Sequence, residues 1–248
     1  MKLRTLEVCA DSLDSVAAAL EGGAARVELC SGLAEGGVTP SLGLVKAAVQ
    51  SGIKVNVLIR PRGGDFVYTP AETECMITDI RAVTAAGANG VVIGALTPEG
   101  DVDMELCTRL VEAAGEAEIT FHRAFDVCRE PIKALEDVIA LGCNRLLTSG
   151  QAPTALEGAG LLAKLRIAAG ERLSVMAGSG VSVKNARMIV ERSGVNELHA
   201  SARVAVPSSM VYRNERVKMG APEMDEYSRM VTSAESVRNI INEINSIK

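Results

Sequence analysis

The residues of this chain that could do chemistry recur at one kind of place, the polar end of a short apolar run. In order they are Glu7, Cys9, Glu28, Cys30, Arg60, Arg62, Asp65, His122, Arg123, Asp126, Thr148, Ser149, Ser179, His199 and Ser201, and they include both histidines of the chain. Side chains alternate along an extended strand, so Glu7 shares a face with Cys9, Glu28 with Cys30, and His122 with Thr120 and Ala124. Charged groups gathered inside a fold are costly unless they are paired, hydrogen-bonded or bound to a metal. Such a collection is therefore read as a site.

Three chemistries can be drawn from it. Cys9 and Cys30, on consecutive strands about 4.8 Å apart, could bring two thiolates toward one soft metal such as Cu(I), with a third ligand from His or Met. Buried small apolar residues are the alternative for the same two cysteines. Glu7, Glu28, His122, Asp126 and His199 could act as general acids and bases, or as oxygen and imidazole ligands of a divalent ion. The turns Thr148-Ser149-Gly150 and Gly178-Ser179-Gly180 offer backbone amides to a phosphate or other small anion, with Arg60, Arg62 or Arg203 as countercharge. Between them, Arg60-Pro61-Arg62-Gly63-Gly64-Asp65-Phe66 reads either as an anion clamp or as an Arg–Asp latch that only fixes the loop.

The elements that must position these groups follow from a repeat. Glycines close successive helix-like runs at Gly22, Gly52, Gly87, Gly115, Gly142, Gly170 and Gly194. Spacings of about 30 residues are what consecutive βα units require. Eight strand candidates rich in Val, Ile and Leu precede or follow them: 6–10, 26–31, 54–60, 90–96, 118–125, 145–150, 173–178 and 197–202. Apolar runs of this kind suit a parallel sheet covered on both faces. The expected fold is a single α/β domain over residues 1–248, a (β/α)8 TIM-like barrel with a long irregular segment, 203–230, after the eighth strand. A doubly wound open sheet uses the same units, but polar ends on every strand and no G-x-G-x-x-G after the first strand favour closure.

Finer expectations attach to the helices. Thr39-Pro40 and Thr69-Pro70 read as N-caps followed by proline, and Thr69 with Glu72 and Thr232 with Glu235 have capping-box spacing. Val16, Ala19 and Leu20, and likewise Leu135, Val138 and Ile139, should face the barrel. Cys75, Cys107, Cys128 and Cys143 read as buried small residues. The irregular segment, with Tyr212, Arg213, Arg216 and Lys218, is expected either to reach a ligand or to pack on the surface or on another subunit.

Composition excludes several classes. A formal net charge of -5 gives no footprint for nucleic acid or an anionic membrane, and three Tyr, three Phe and no Trp are a poor base-stacking platform. No run approaches a membrane span, and the first residues lack the apolar stretch of a signal peptide. Six cysteines without a C-x-x-C point to reduced thiols and a cytoplasmic protein.

Several segments also carry a resemblance. Val27-Glu28-Leu29-Cys30-Ser31-Gly32-Leu33 with Glu35-Gly36-Gly37, Ile59 to Phe66, Thr120-Phe121-His122-Arg123-Ala124-Phe125-Asp126 and Leu147-Thr148-Ser149-Gly150 resemble, in order, the signature segments of the CutC family, named for copper homeostasis. The likeness spans essentially the whole chain. It implies a (β/α)8 barrel, a cytoplasmic homo-oligomer with a dimer favoured, and Cu(I) ligands at Cys9 and Cys30. Ala200 stands where some relatives carry a further cysteine, which leaves copper binding more dependent on those two. The polar mouth is richer than two thiols need, so a second expectation stands beside copper: a barrel enzyme acting on a small anionic or phosphorylated metabolite.

Overall fold

The computed structural model describes residues 3–217, 219 and 225–246. Eight parallel strands close into a barrel in sequence order: β1 (Thr5–Ala10), β2 (Arg26–Leu29), β3 (Val55–Leu58), β4 (Gly90–Ile93), β5 (Glu118–Phe121), β6 (Arg145–Thr148), β7 (Ser174–Ala177) and β8 (Glu197–Ala200). Pairing of β1 with β8, Glu7 opposite His199, closes the sheet and removes the open-sheet alternative. Except for β1, each strand is shorter at its C-terminal end than its apolar run. The polar residues there leave the ladder and turn over the mouth.

Helices α1 (Leu13–Gly22), α2 (Leu42–Val49), α3 (Pro70–Ala85), α4 (Met104–Ala114), α5 (Pro131–Ala140), α6 (Ala159–Ala169) and α7 (Ala186–Ser193) connect the strands, and α8 (Ala234–Asn245) follows a hairpin. Outward-facing strand residues such as Val8, Val27, Val57 and Val91 join Val16, Ile80, Leu135 and Ile189 in one continuous core between sheet and helices. Removing this apolar surface from water is the main favourable contribution to the fold. Leu20, expected to face the barrel, is 47% exposed because the buried stripe of α1 runs through Val16 and Ala19. Cys107, Cys128 and Cys143 are buried, whereas Cys75 lies on the exposed side of α3.

Local chemistry sets the helix starts. Thr69 caps α3 with both halves of the capping box formed with Glu72 and Pro70 at the first position. The other two caps move. Ser41 caps α2, because the Thr39 hydroxyl instead accepts the Arg60 backbone N–H. Ser233 caps α8, because Thr232 is held in a strand and donates to the Ser201 carbonyl.

The segment after β8 is more ordered than expected. It forms an antiparallel pair, β9 (Arg203–Pro207) with β10 (Ser228–Thr232), that lies against α1 through Thr232 N–H to Ser15 Oγ and an Arg229–Asp14 ion pair. Lys218 lies outside the described residues.

The barrel interior is unusually polar. Inward positions carry Glu7, Arg26, Glu28, Asn56, Thr120, Arg145 and Glu197, and a small separate apolar cluster is made by Cys9, Cys30, Leu58 and Val92 with Leu33 packed on it. Near the N-terminal end, Arg145 donates to Glu197 at 2.8 Å, and Arg26 bridges Glu197 to Glu7. This buried chain of alternating charge leads upward to the mouth.

Candidate functional site at the barrel mouth

Glu7 ends that chain and begins the site. Burial alone would raise its pKa, but the His199 hydrogen bond and the Arg26 charge reverse the shift and hold the carboxyl near 2, so it is ionised. Its Oε1 lies 2.9 Å from His199 Nδ1, while Oε2 takes the Arg26 Nε–H. An anion on Nδ1 fixes that nitrogen as the protonated one and turns Nε2 toward the mouth. Burial opposes charge on His199, but Glu28, the Cys9 thiol and Glu7 raise its pKa well above the ordinary 6.5.

Around Nε2 the barrel converges three donor groups. One ligand atom each from Cys9, Glu28 and His199 lies within 4.8 Å of the others. The register brings this about: Cys9 stands opposite Glu28 across β1 and β2, and His199 sits beside Glu7 across the closing seam. Cys30 Sγ lies 3.6 Å from Cys9 Sγ and is fully buried. Cys9 lines the mouth cavity, and Cys30 stands behind it among Leu58 and Val92. Contact with the Cys30 thiol, then burial, pushes the Cys9 thiol well above its ordinary range, so it is protonated without a metal.

The cavity has a volume of about 270 Å³. Glu28 reaches it with Oε2 buried and without a hydrogen-bond partner, and burial pushes this carboxyl up to about 7 despite the opposing pull of His199. His122 reaches it from the opposite side. The residue lies just past β5 at the start of a 3-10 turn, Arg123–Val127, so it does not share a strand face with Ala124; its Nδ1 instead accepts the Ala124 backbone N–H at 3.2 Å. Gly94 makes room for this ring, because a Cβ there would fall 2.5 Å from it. Burial, then the Arg60 charge, lowers the His122 pKa to about 3. The imidazole is neutral.

Arg60 and Arg62, two residues apart, have separate tasks. Arg60 is buried against Phe66, its guanidinium carbon 4.9 Å from the ring centroid, and donates to the carbonyls of Glu35, Gly37 and Gly64. Arg62 turns outward to Glu72, Asp65 and the Val67 carbonyl, so the Arg62 and Asp65 part of the loop is a latch and takes no part in lining the cavity.

Asp126 departs from the acid-base expectation. Its carboxylate accepts the Thr148 hydroxyl and the backbone N–H groups of Ser149 and Gln151, and pairs with Arg123 at 2.7 Å. Amides expected to cradle a phosphate thus hold an internal carboxylate, and Ser149 and Gly150 are buried away from the mouth. In the other turn, Ser179 and Gly180 line the cavity, while Gly178 lies behind His199, where a Cβ would strike Leu147. Tyr212, Arg213 and Arg216 do not line it; Arg213 stacks on Tyr227.

A family model, the CutC family, matches residues 4–204. The chain belongs to the CutC family. A CutC family protein of Bacteroides thetaiotaomicron is 48% identical over 249 residues, covering 99% of this chain and all of the relative. One from Chromobacterium violaceum is 53% identical over 236 residues, covering 95% and 96%. The crystal structure of CutC from Streptococcus agalactiae, whose name there carries a copper homeostasis role, is 34% identical with a TM-score of 0.77; the match covers 80% of this chain and 98% of that one. Family membership and the closed barrel agree with the sequence reading.

Sequence reasoning missed the ion chain beneath the site. Arg26, Arg145 and Glu197 each stand at the first position of a strand, a charged start that was the available signal. Glu7 was visible as a strand residue, but its partner His199 lies on the eighth strand, and only closure brings the two together.

Proposed function

We propose that this CutC family member binds Cu(I) at its barrel mouth, with Cys9 Sγ and His199 Nε2 as ligands and Cys30 Sγ as the adjacent third donor. The observation carrying this reading is the convergence of Cys9 with His199 while Cys30 stands 3.6 Å from Cys9. Two sulphurs and an imidazole favour a soft ion over Mg²⁺ or Ca²⁺, which take oxygen ligands. Glu7 serves as the outer carboxylate that orients a ligating histidine through its other nitrogen. Loading requires Cys9 and Cys30 to lose their thiol protons and His199 to free Nε2, so binding releases protons. The copper role carried in the name of the Streptococcus agalactiae relative supports the choice of ion.

Two adjacent thiols must stay reduced to bind, which fits a cytoplasmic protein. No described helix is long and apolar enough to cross a membrane. We expect a homodimer, since Met210, Val211 and Tyr212 are exposed apolar residues on one segment.

An anaerobic Cu(I) competition titration tests the function. The wild type should bind about one equivalent tightly, and Cys9→Ser should weaken binding at least about tenfold. Equal affinity in the double variant Cys9→Ser, Cys30→Ser would reject copper binding at this site.

A further inference from the structure

The part of the cavity lined by Arg60, Phe66 and His122 has features copper does not use. Arg60 is 6% exposed, and among the described residues no carboxylate pairs with it; three backbone carbonyls hold its outer nitrogens, and its Nε–H is buried without a partner. A buried cation neutralised only by carbonyl dipoles is costly, and the cost falls when an anion arrives. His122 is 5% exposed, and its Nε2 is likewise buried without a partner. Because Nδ1 accepts from Ala124 and the ring is neutral, Nε2 carries the proton and is a donor.

Both donors pack on one ring. Phe66 lies under the Arg60 guanidinium at 4.9 Å and 5.1 Å from the His122 ring centroid. The wall therefore presents a fixed cation and a fixed neutral N–H that pack on the same ring. Leu147 and Val181 add apolar surface to the cavity. A complementary ligand carries a carboxylate, a second acceptor oxygen close to it and a short apolar tail. At about 270 Å³ the cavity lies at the small end of ligand sites, suited to a few carbons.

Phosphate fits less well. The amides after β6 that would have formed its cradle are occupied by Asp126. A donor aimed at a carbonyl oxygen beside a carboxylate is better matched by a planar acid.

We propose that this wall is a binding site for a small 2-oxo acid, the carboxylate on Arg60 and the oxo group accepting from His122 Nε2–H. The site shares the cavity of the copper ligands but uses none of them; it goes beyond the copper reading, so it is tested on metal-free protein under reductant.

Calorimetric titration with pyruvate and with 2-oxobutyrate, against acetate and inorganic phosphate, is the experiment. Saturable binding of the 2-oxo acids, about tenfold or more tighter than acetate, is expected. His122→Phe keeps an aromatic ring in the Gly94 recess but removes the donor, and should abolish the preference over acetate. Arg60→Lys should weaken every acid; should that variant unfold because its loop carbonyls lose their donor, His122→Phe alone decides. In ¹⁵N spectra the His122 Nε2–H resonance should shift on addition of pyruvate. No saturable binding of either 2-oxo acid up to about 50 mM, tighter binding of phosphate, or an undiminished preference in His122→Phe would each overturn the proposal. Failure here leaves the Cu(I) titration unaffected, because no metal is present.

Discussion

Glu7 Oε1 and His199 Nδ1 lie 2.9 Å apart across the seam where the last barrel strand meets the first. This contact joins the buried ion chain of Glu197, Arg26 and Glu7 to the thiol and carboxyl groups of the mouth. A carboxylate held ionised from below makes His199 the fixed member of the proposed copper site.

Glu7→Gln should therefore damage both stability and binding. Glu7 is fully buried and paired with Arg26 and His199, and removing one partner of a buried ion pair costs about 3–5 kcal/mol. Denaturant unfolding at neutral pH should show a loss of that size, and Cu(I) affinity should fall about tenfold or more as His199 loses its orienting anion. Wild-type stability with unchanged affinity would remove Glu7 from the account.

The acid limb of stability follows from the same shifts. Because the folded pKa of Glu7 is depressed, its contribution is present above 4.5 and is lost as pH falls toward 2. His122, depressed from 6.5 to about 3, leaves the unfolded chain binding the extra proton, so stability also falls from 6.5 down to 3. Glu28, raised to about 7, acts oppositely, since the folded state binds its proton first between 7 and 4.5. These last two offset one another above 4.5, and below it Glu7 and His122 subtract together. Unfolding free energy against pH should therefore drop most steeply below pH 4.5, and Glu7→Gln should flatten that drop.

Gly94→Ala places a methyl group 2.5 Å from the His122 ring. Overpacking of this kind costs about 1–3 kcal/mol. Thermal unfolding should shift down accordingly, with His122 displaced in the ¹H–¹⁵N spectrum. An unshifted spectrum would show that the ring does not fill that recess.

Asp126→Ala empties the amide cradle after β6 and leaves the Ser149 and Gln151 N–H groups without their acceptor. Loss of a buried charge with several donors costs about 3–5 kcal/mol. Urea denaturation should record it, while Cu(I) affinity stays close to wild type. By contrast Asp65→Ala breaks an exposed ion pair to Arg62 and an exposed hydrogen bond from the Val67 N–H, and should cost about 1 kcal/mol or less.

The eight strands were legible because both faces of a parallel barrel strand are covered, which leaves Val-rich runs such as Lys54 to Arg60 and Gly90 to Leu96 with polar ends. Cys9 and Cys30 could be brought together on paper for the same reason, since neighbouring strands and strand alternation suffice. What could not be read depends on distant partners. Asp126 looked like an acid or base, but its role is set by amides of the next βα turn, folded onto it by the 3-10 turn that follows His122. The same turn removes His122 from the strand alternation that seemed to govern it. Arg60 and Arg62 are two residues apart, yet one is packed under Phe66 and the other latched to Glu72, a division set by the loop and invisible in spacing.

X-ray absorption at the copper edge of the Cu(I)-loaded protein tests the ligand assignment most directly. The account predicts a first shell of two sulphur scatterers and one nitrogen, reduced to one sulphur in Cys9→Ser and losing its imidazole signature in His199→Gln. A shell of nitrogen and oxygen alone, or spectra that both substitutions leave unchanged, would contradict it.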